Sequence, residues 1–329
     1  MTSTRLNMTL QQYWRRSSAP VPRLLLRVEL LLLFRRWPRA NQLSLLLCLL
    51  LLCNIILKFV SRTATRLHVR RVCWELCTMS NAEFNTREVF DEDYLYFYDT
   101  FITDEQSDAD VEVIWKLLGL QPGKRVLDMA CGTGRIANRL AGLGCDVVGL
   151  DESELFLELA RSLAPTNGGE ITFVRNDMRR LQWEGEFDAV INWFTSFGYF
   201  SREDNFKCLS ETYKALKTNG QVLIDHINRD RLIRNLSRPL DMVIEHPHDD
   251  GNFLIDRVAY DVATGRTETD RTIVRDGATR KTHFSVRLFT YAEIHDWIIR
   301  AGFRDCSGFG SQGDELSLDS GRMIVVARK

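Results

Sequence analysis

The sequence predicts an α/β fold in which helices cover a doubly wound, mostly parallel sheet. From Ser80 onward, short apolar runs of strand length alternate with segments of helical periodicity, and this order is typical of such a sheet. The alternation stops between residues 240 and 289, where strand patterns follow one another across the turn dipeptides Thr264-Gly265 and Asp276-Gly277. The chain should therefore carry an antiparallel insertion after the fifth strand of the main sheet.

The first part of the predicted domain joins strands and helices through loops of ordinary length. Pro122-Gly123 marks a turn before the first strand, and Gly134 opens the helix that follows this strand. In chain order we predict helix 109–118, strand 125–129, helix 134–141, strand 146–150, helix 153–163, strand 171–175, strand 187–193, helix 202–216 and strand 221–225.

The second part contains the insertion and the return to the main sheet. The predicted elements are strands 241–245, 253–260, 266–275 and 280–289, then helix 291–301 and strand 322–327. The insertion leaves the fifth strand at the carboxyl edge, where open α/β sheets bind ligands, so residues 240–289 are predicted to form a substrate lid. His283 and Arg287 are predicted to line its cavity. The alternative is a β-extension that forms a homodimer through its strand edges.

Composition separates a basic extension from an acidic body. Hydrophobic residues make up 45% of the 329 residues, which indicates a globular protein with a well-formed core. Residues 1–78 contain 13 Lys and Arg against 2 Glu, whereas residues 79–329 contain 30 basic and 42 acidic residues. An acidic body repels phosphate backbones, which argues against a nucleic-acid substrate.

The extension, residues 1–78, is rich in Arg and Leu. Its apolar run 43–60 is the one candidate for membrane contact, near the lower length limit of a spanning helix and interrupted by Asn54 and Lys58. Three interpretations stay open: a membrane anchor, an organelle-targeting segment, or a dispensable extension before a self-sufficient domain, residues 79–329. The catalytic domain itself is expected in the cytoplasm.

Cysteine and histidine spacing gives no metal signature. The eight cysteines form no CxxC pair, which suits a reducing compartment better than a zinc site or a disulfide framework. The run from His246 to Asp250 (HPHDD) carries metal-binding side chain types, but no second ligand group stands at a diagnostic spacing. We interpret the run as a solvated loop and expect no metal site.

The segment from Val126 to Gly134 (VLDMACGTG) combines an apolar strand, an acid at its end and two glycines that open a helix. Glycine has no Cβ to keep a ligand away from the backbone, and the helix N-terminus offers free N–H groups. The run GTGRIA also fits the G-x-G-x-x-A form of a dinucleotide fingerprint. This loop alone therefore leaves an NAD-dependent oxidoreductase open.

Later positions favour a different cofactor. Asp151 ends the second strand, where a carboxylate can accept both ribose hydroxyls, and this feature fits either class. Asp177 and Met178 follow the third strand, and Asn192 near the end of the fourth precedes an aromatic run. Together with the glycine loop, these positions resemble the four ordered motifs of class I S-adenosylmethionine-dependent methyltransferases.

The resemblance covers about residues 90–329 and implies a Rossmann-like, seven-stranded sheet with S-adenosylmethionine as cofactor. By this resemblance Asp128 would orient the loop and the methionine ammonium group. Gly132 and Gly134 would let the cofactor pack on the turn, with Ala130 standing where the family consensus has its first glycine.

The remaining site residues are also implied by the resemblance. Asp177 would accept a hydrogen bond from the adenine amino group, Met178 would cover the adenine ring, and Asn192 would lie beside the transferable methyl. In bacterial-type small-molecule members of the family an aromatic N-terminal segment helps to close the site. Tyr94 and Tyr98 would cover the cofactor in this way.

Methyl transfer needs in-line approach of a nucleophile with water excluded, so positioning alone can supply much of the acceleration. If a base acts, His226 at the end of the fifth strand is the first candidate and Tyr199 the second. The fourth motif lacks the Asn-Pro-Pro-Tyr pattern of enzymes that methylate planar nitrogens, which favours a small N or O nucleophile. A catalytically silent methyltransferase-like binding module is the remaining alternative.

Overall fold

A seven-stranded sheet forms the centre of the computed structural model, which describes residues 84–98, 102–236, 239–249 and 251–329. The extension, with its apolar run 43–60, lies outside these ranges. In chain order the elements are α1 (Thr86–Val89), α2 (Glu92–Tyr98), α3 (Asp104–Leu118), β1 (Arg125–Met129), α4 (Arg135–Gly142), β2 (Asp146–Asp151), α5 (Glu154–Ser162), β3 (Ile171–Arg175), β4 (Phe187–Asn192), α6 (Arg202–Ala215), β5 (Leu216–Ile227), α7 (Arg229–Asn235), β6 (Leu240–Glu245), β7 (Phe253–Asp261), β8 (Arg266–Arg275), β9 (Ala278–Arg287), α8 (Tyr291–Arg300), β10 (Arg304–Phe309) and β11 (Arg322–Arg328).

The main sheet has the strand order β10-β11-β5-β4-β1-β2-β3. Strands β1 to β5 are parallel, and β11 pairs antiparallel with both β5 and β10. The chain moves outward from β1 to β3 and then returns to β4, so the order reverses between β1 and β4. Ligands bind at the carboxyl edge of such a switch point. The predicted doubly wound, seven-stranded sheet is confirmed.

Both faces of this sheet are apolar because each strand alternates its side chains between two helical layers. Leu127 and Met129 of β1 join one buried cluster, while Val126 joins the other. On β4, Val190 and Ile191 divide in the same way. Successive side chains of a strand point to opposite faces, so strands buried on both faces need continuous apolar runs.

Residues 240–289 form the predicted antiparallel insertion, a four-stranded sheet ordered β6-β7-β8-β9. Its tightest hairpin turns at Asp276 and Gly277, which both have positive φ (51° and 78°) between the paired residues Arg275 and Ala278. Positive φ at both central residues suits the twist of a two-residue hairpin. The outer strand β6 keeps a free edge in this sheet, and the homodimer stays a prediction.

Some elements differ from the sequence prediction. Strand β10 was not predicted, and β5 begins at Leu216, directly after α6, rather than at Gln221. The sequence of β10 (RDCSGF) has no regular apolar alternation, since this edge strand is only partly covered. Helix α7 was also not predicted; it begins after Asn228, whose side chain caps it. In the described part of the chain, no helix combines the length and apolarity needed to cross a membrane.

Candidate active site

The loop after β1 turns sharply through left-handed backbone conformations. Ala130, Gly132 and Gly134 have φ values of 64°, 55° and 76°. A Cβ on Gly134 would lie 2.8 Å from the Cβ of Ala160, so helix packing also requires glycine there. Alanine in this conformation costs about 1–2 kcal/mol, which the surrounding structure must offset. The loop is therefore shaped by its own packing before any ligand binds.

Asp151 at the end of β2 holds this loop in place. One carboxylate oxygen accepts from the N–H of Gly132 at 2.9 Å, and the other accepts from the N–H of Ser153 at 2.9 Å. Burial raises the pKa of Asp151, although these backbone hydrogen bonds partly offset the rise. Each oxygen keeps a further lone pair for a ligand hydroxyl. The side chain can thus serve the loop and a ribose together.

Asp128 at the end of β1 is 2% exposed, and its Oδ2 has no hydrogen-bond partner within the described residues. Burial raises its pKa to about 7, the Arg135 guanidinium lowers it and the Asp151 carboxylate raises it further. A buried carboxylate oxygen without a partner is costly. It fits a ligand that brings a cationic N–H group.

The residues predicted to hold adenine follow β3, and Asn192, predicted to lie beside the transferable methyl, ends β4. Asp177 binds the guanidinium of Arg179 through both oxygens, at 3.0 and 2.9 Å. Although partial burial opposes it, this pairing lowers the pKa of Asp177. Asn192 is fully buried, and its Nδ2 donates to the carbonyl of Met129 at 2.9 Å and lies 4.0 Å from the Sδ of Met178. Their roles toward a cofactor stay predictions.

An aromatic cluster lies beside this edge. Tyr94 and Tyr98 of α2 stack with centroids 4.2 Å apart, and the ring of Tyr94 lies 6.0 Å from Phe156 at the start of α5. Tyr199 in the loop after β4 lies 6.3 Å from Phe284 of β9. Burial raises the pKa of Tyr94, Tyr98 and Tyr199, so all three stay protonated near neutral pH.

The N-terminal helices α1 and α2 contact the four-stranded sheet β6–β9 through charged side chains. Arg271 of β8 and Asp256 of β7 face each other across the strands and form a two-bond ion pair at 2.8 and 2.7 Å, each side chain 3% exposed. Arg271 also donates to the hydroxyl of Tyr98 at 3.4 Å. Arg280 of β9 binds Asp93 at 2.8 Å. We call α1, α2 and β6–β9 the lid.

His226 lies at the end of β5 and is fully buried. Its Nδ1 is 3.2 Å from the carbonyl of Ile227, and its Nε2 has no hydrogen-bond partner within the described residues. Burial lowers the pKa of this imidazole, so it is neutral near pH 7. Its ring packs edge-on to Phe289, 5.8 Å between centroids. Its role as a base stays a prediction.

The prediction that His283 lines a cavity of the insertion is wrong, and the same prediction for Arg287 stays a prediction. His283 is on the exposed face of β9 and pairs with Asp270 at 2.9 Å and Glu268 at 3.1 Å. Arg287 lies on the same side of the strand but is only 19% exposed, and its guanidinium packs over Trp297. The opposite face of β8 and β9 carries Arg271, which contacts Tyr98 of α2, and Phe284, which contacts Tyr199. The alternation of polar and apolar residues predicted these strands, but it did not show which of their faces lies toward the aromatic cluster.

Comparison with known proteins places this arrangement in a family. A model described as a methyltransferase domain matches residues 126–220. A protein of Geobacillus sp. (strain WCH70) that is itself assigned as a methyltransferase is 35% identical over 258 residues, which cover 72% of this chain and 99% of that protein. The chain belongs to the class I S-adenosylmethionine-dependent methyltransferases. The oxidoreductase alternative left open by the glycine loop is overturned.

Further relatives of this methyltransferase carry acceptors in their names. The glycine/sarcosine N-methyltransferase of Parasynechococcus marenigrum (strain WH8102) is 30% identical over 229 residues, which cover 67% of this chain and 77% of that enzyme. A solved methyltransferase structure from Clostridium acetobutylicum gives a TM-score of 0.59 at 18% identity, covering 71% of this chain and 95% of that chain. The sugar N-methyltransferase KedS8 from Streptoalloteichus sp. gives 0.53 at 18% identity, covering 70% and 93%. The two structural likenesses establish the fold.

S-adenosylmethionine is the cofactor of this methyltransferase, and the residues at the carboxyl edge fit it. The unpaired Oδ2 of Asp128 suits a ligand ammonium group. The turn at Gly132 carries no side chain, and a Cβ there would meet only Phe156, at 4.0 Å. Within the described residues, Oδ2 of Asp128 therefore has no partner, and the space beside Gly132 is open.

Proposed function

We propose that this methyltransferase transfers a methyl group to a nitrogen or oxygen of a small molecule that binds beneath the lid. The aromatic cluster beside the carboxyl edge carries this proposal, because it brings Tyr94 of α2, Tyr199 of the β4 loop and Phe284 of the insertion together. Aromatic walls with a few hydroxyl groups are typical of small-molecule sites. Relatives named for glycine, sarcosine and a sugar support an acceptor of this size.

Each cofactor group has a proposed partner. Asp128 would hold the methionine ammonium, Asp151 the ribose hydroxyls, and Asp177 the adenine amino group beside Met178. Tyr94 would cover the cofactor through its contact with Phe156, which lies next to Gly132. When bound, the cofactor supplies an electrophilic methyl group to a nucleophile held in line with it.

The protein would act mainly by orientation and by excluding water. The raised pKa of Tyr199 makes its phenol a hydrogen-bonding group rather than a phenolate base. His226 is neutral and could take a proton, provided that the loop over its Nε2 moves, since a Cβ on Gly198 would lie 3.3 Å from that atom. Positioning alone can account for a large rate enhancement.

The test is label transfer. The full chain is incubated with a metabolite extract and S-adenosylmethionine that carries an isotopically labelled methyl group, and mass spectrometry identifies labelled products. We expect a labelled small amine or alcohol. Calorimetry with S-adenosylhomocysteine on the same preparation separates the alternative, because a silent binding module would bind this product and label nothing.

A further inference from the structure

Two neighbouring residues in the loop after β4 adopt a strained conformation. Phe194 and Thr195 have φ values of 60° and 59°, in the left-handed region that favours glycine. For a β-branched residue such as Thr195 this is a genuine outlier. Such conformations persist only when the surrounding structure holds them, and they occur preferentially at functional sites.

Asp225 of β5 holds both residues. Its Oδ2 accepts from the backbone N–H of Phe194 at 2.8 Å, and its own carbonyl accepts from the N–H of Thr195 at 3.1 Å. The Asp225 side chain is almost completely buried. A charged acceptor makes a strong hydrogen bond with an N–H group, so this contact opposes relaxation of the loop.

Arg322 completes the arrangement from the neighbouring strand β11. Its Nε donates to Oδ1 of Asp225 at 2.8 Å, and its Nη2 donates to Oδ2 of Asp225 and, at 3.0 Å, to Oγ1 of Thr195. The planar guanidinium thus binds the carboxylate with two nitrogens and reaches the strained residue with one of them. Asp225, Arg322 and Thr195 form one closed network of hydrogen bonds.

The loop held in this way faces the cofactor loop. Phe194 is 37% exposed, and its ring lies 5.4 Å from the guanidinium of Arg135 and 5.5 Å from that of Arg322. Arg135 is the first residue of α4, directly after Gly134. The ring therefore stands between the β1 loop and the end of β5, at the switch point of the sheet.

We propose that Asp225 and Arg322 are positioning residues for methyl transfer. They hold Phe194 and Thr195 in the left-handed conformation, and the exposed ring of Phe194 forms a wall against which the acceptor lies. This inference rests on the proposed function. A purely structural role, in which the pair only joins β5 to β11, is the alternative that the experiment must exclude.

The first part of the test compares the full chain with Asp225→Asn and Arg322→Lys. Arg322→Lys keeps the charge but loses the two-nitrogen geometry, so it provides a milder variant should Asp225→Asn fail to fold. We expect kcat for the acceptor found by label transfer to fall about tenfold or more, since small misplacements near the reacting atoms are costly. The Kd for S-adenosylhomocysteine should change less than about threefold, and the amides of Phe194 and Thr195 should exchange hydrogen faster.

The second part is a rescue in the Asp225→Asn background. Thr195→Gly lets the loop adopt positive φ without strain, so it should restore a substantial part of kcat and slow the exchange of the loop amides. Thr195→Val also removes the hydroxyl but keeps a β-branched side chain, so it should restore neither. Glycine rescue without valine rescue is the result that a strand-joining role does not produce.

Other results overturn the inference. Unchanged kcat and exchange in both single variants would show that the loop does not depend on the pair. Parallel losses of kcat, cofactor affinity and unfolding free energy, with no rescue by glycine, would assign the pair a structural role. If the unmodified enzyme labels no acceptor, the proposed function fails, and the exchange rates alone then decide whether Asp225 and Arg322 hold the loop.

Discussion

The cofactor region and the lid are built from different interactions. In the cofactor region, Asp128 and Asp151 lie at the ends of adjacent paired strands, and the Asp151 carboxylate holds the loop between β1 and α4 through the N–H of Gly132. In the lid, contacts join residues that are far apart in the chain, such as Asp93 and Arg280. The first region depends on side chains placed by the ends of neighbouring parallel strands, and the second depends on contacts between side chains that are distant in the chain.

This difference suggests how one fold keeps its cofactor and changes its acceptor. Side chains in the lid can be exchanged without moving the strand ends that carry Asp128 and Asp151. Substitutions at well-separated sites usually act independently. Changes in the cofactor region should thus alter cofactor affinity, while changes in the lid away from Tyr94 and Tyr98 should alter stability and acceptor use.

The largest expected effect is that of Asp151→Ala on cofactor binding. Each ribose hydroxyl would lose a charge-assisted acceptor worth about 1.5–3 kcal/mol, and the N–H of Gly132 would lose its partner. Calorimetry should show S-adenosylhomocysteine affinity reduced by a factor of about 100 or more. Asp188→Ala is the matched control, because Asp188 starts β4 at the opposite edge and binds Lys124 and Lys217. Equal affinities in the two variants would contradict the assignment.

The second expected effect concerns the lid. Asp256→Asn leaves the buried guanidinium of Arg271 without its carboxylate, and removing one partner of a buried ion pair costs about 3–5 kcal/mol. The free energy of unfolding from urea titration should fall by this amount, with S-adenosylhomocysteine affinity within about threefold of the unmodified chain. The double replacement Asp256→Leu with Arg271→Met should recover most of the loss. An equally unstable double variant would show that the charges themselves matter.

The third prediction uses the pKa of about 7 that burial gives Asp128. The ligand ammonium favours the carboxylate form, so below pH 7 binding must displace a proton, and S-adenosylhomocysteine affinity should fall by up to roughly tenfold per pH unit. In the protein without ligand, the contribution of Asp128 to folding stability changes with pH in the opposite direction. The folded-state pKa lies above the unfolded value, so the stability this group contributes at low pH is lost as pH rises toward 7.

Calorimetry between pH 5.5 and 8.5 tests this prediction, with Asp128→Asn as the control. The variant should bind more weakly and lose this component of the pH dependence. If the unmodified chain and the variant show the same pH profile, another group is responsible.

The main sheet could be predicted because its inner strands have apolar runs that record burial on both faces, and its edge strand β3 (ITFVR) is also mostly apolar. Strands β1 and β3 begin and end at the predicted residues. Strand β10 escaped prediction because its sequence, RDCSGF, has no regular apolar pattern. Asp256 and Arg271 escaped because charged residues within a strand normally indicate solvent, and only the register that places them opposite each other shows their pairing.

The candidate site also contains features that the sequence could predict and features that it could not. Motif order predicted that Asp128 and Asp151 lie at strand ends, where the structure has them, and their roles toward the cofactor stay predictions. It did not reveal that Arg179 occupies both oxygens of Asp177, since that contact depends on side-chain conformation. The pairing of Asp225 with Arg322 likewise needs two strands that lie 97 residues apart in the chain.

The fourth prediction separates the two faces of β9. Phe284 packs near Tyr199 and lies 5.0 Å from the guanidinium of Arg271, whereas His283 lies on the exposed face. Phe284→Leu should raise the acceptor KM by about fivefold, the effect of about 1 kcal/mol of lost packing, and leave S-adenosylhomocysteine affinity unchanged. His283→Ala should change neither quantity. If His283→Ala raised the acceptor KM while Phe284→Leu did not, the acceptor would have to bind at the face of β9 that carries His283.

The smallest effect is expected when residues 1–78 are removed. The cofactor residues and every strand described here lie after Met79, and Asn81–Lys329 cluster as one compact unit. A chain that begins at Met79 should therefore fold and bind S-adenosylhomocysteine within about twofold of the full chain, since neither the cofactor region nor the lid loses a contact described above. Calorimetry and thermal unfolding of the two chains side by side provide the measurement. Weaker binding or insolubility of the shorter chain alone would mean that the extension stabilises the domain. The extension would then act as a third region beside the cofactor region and the lid.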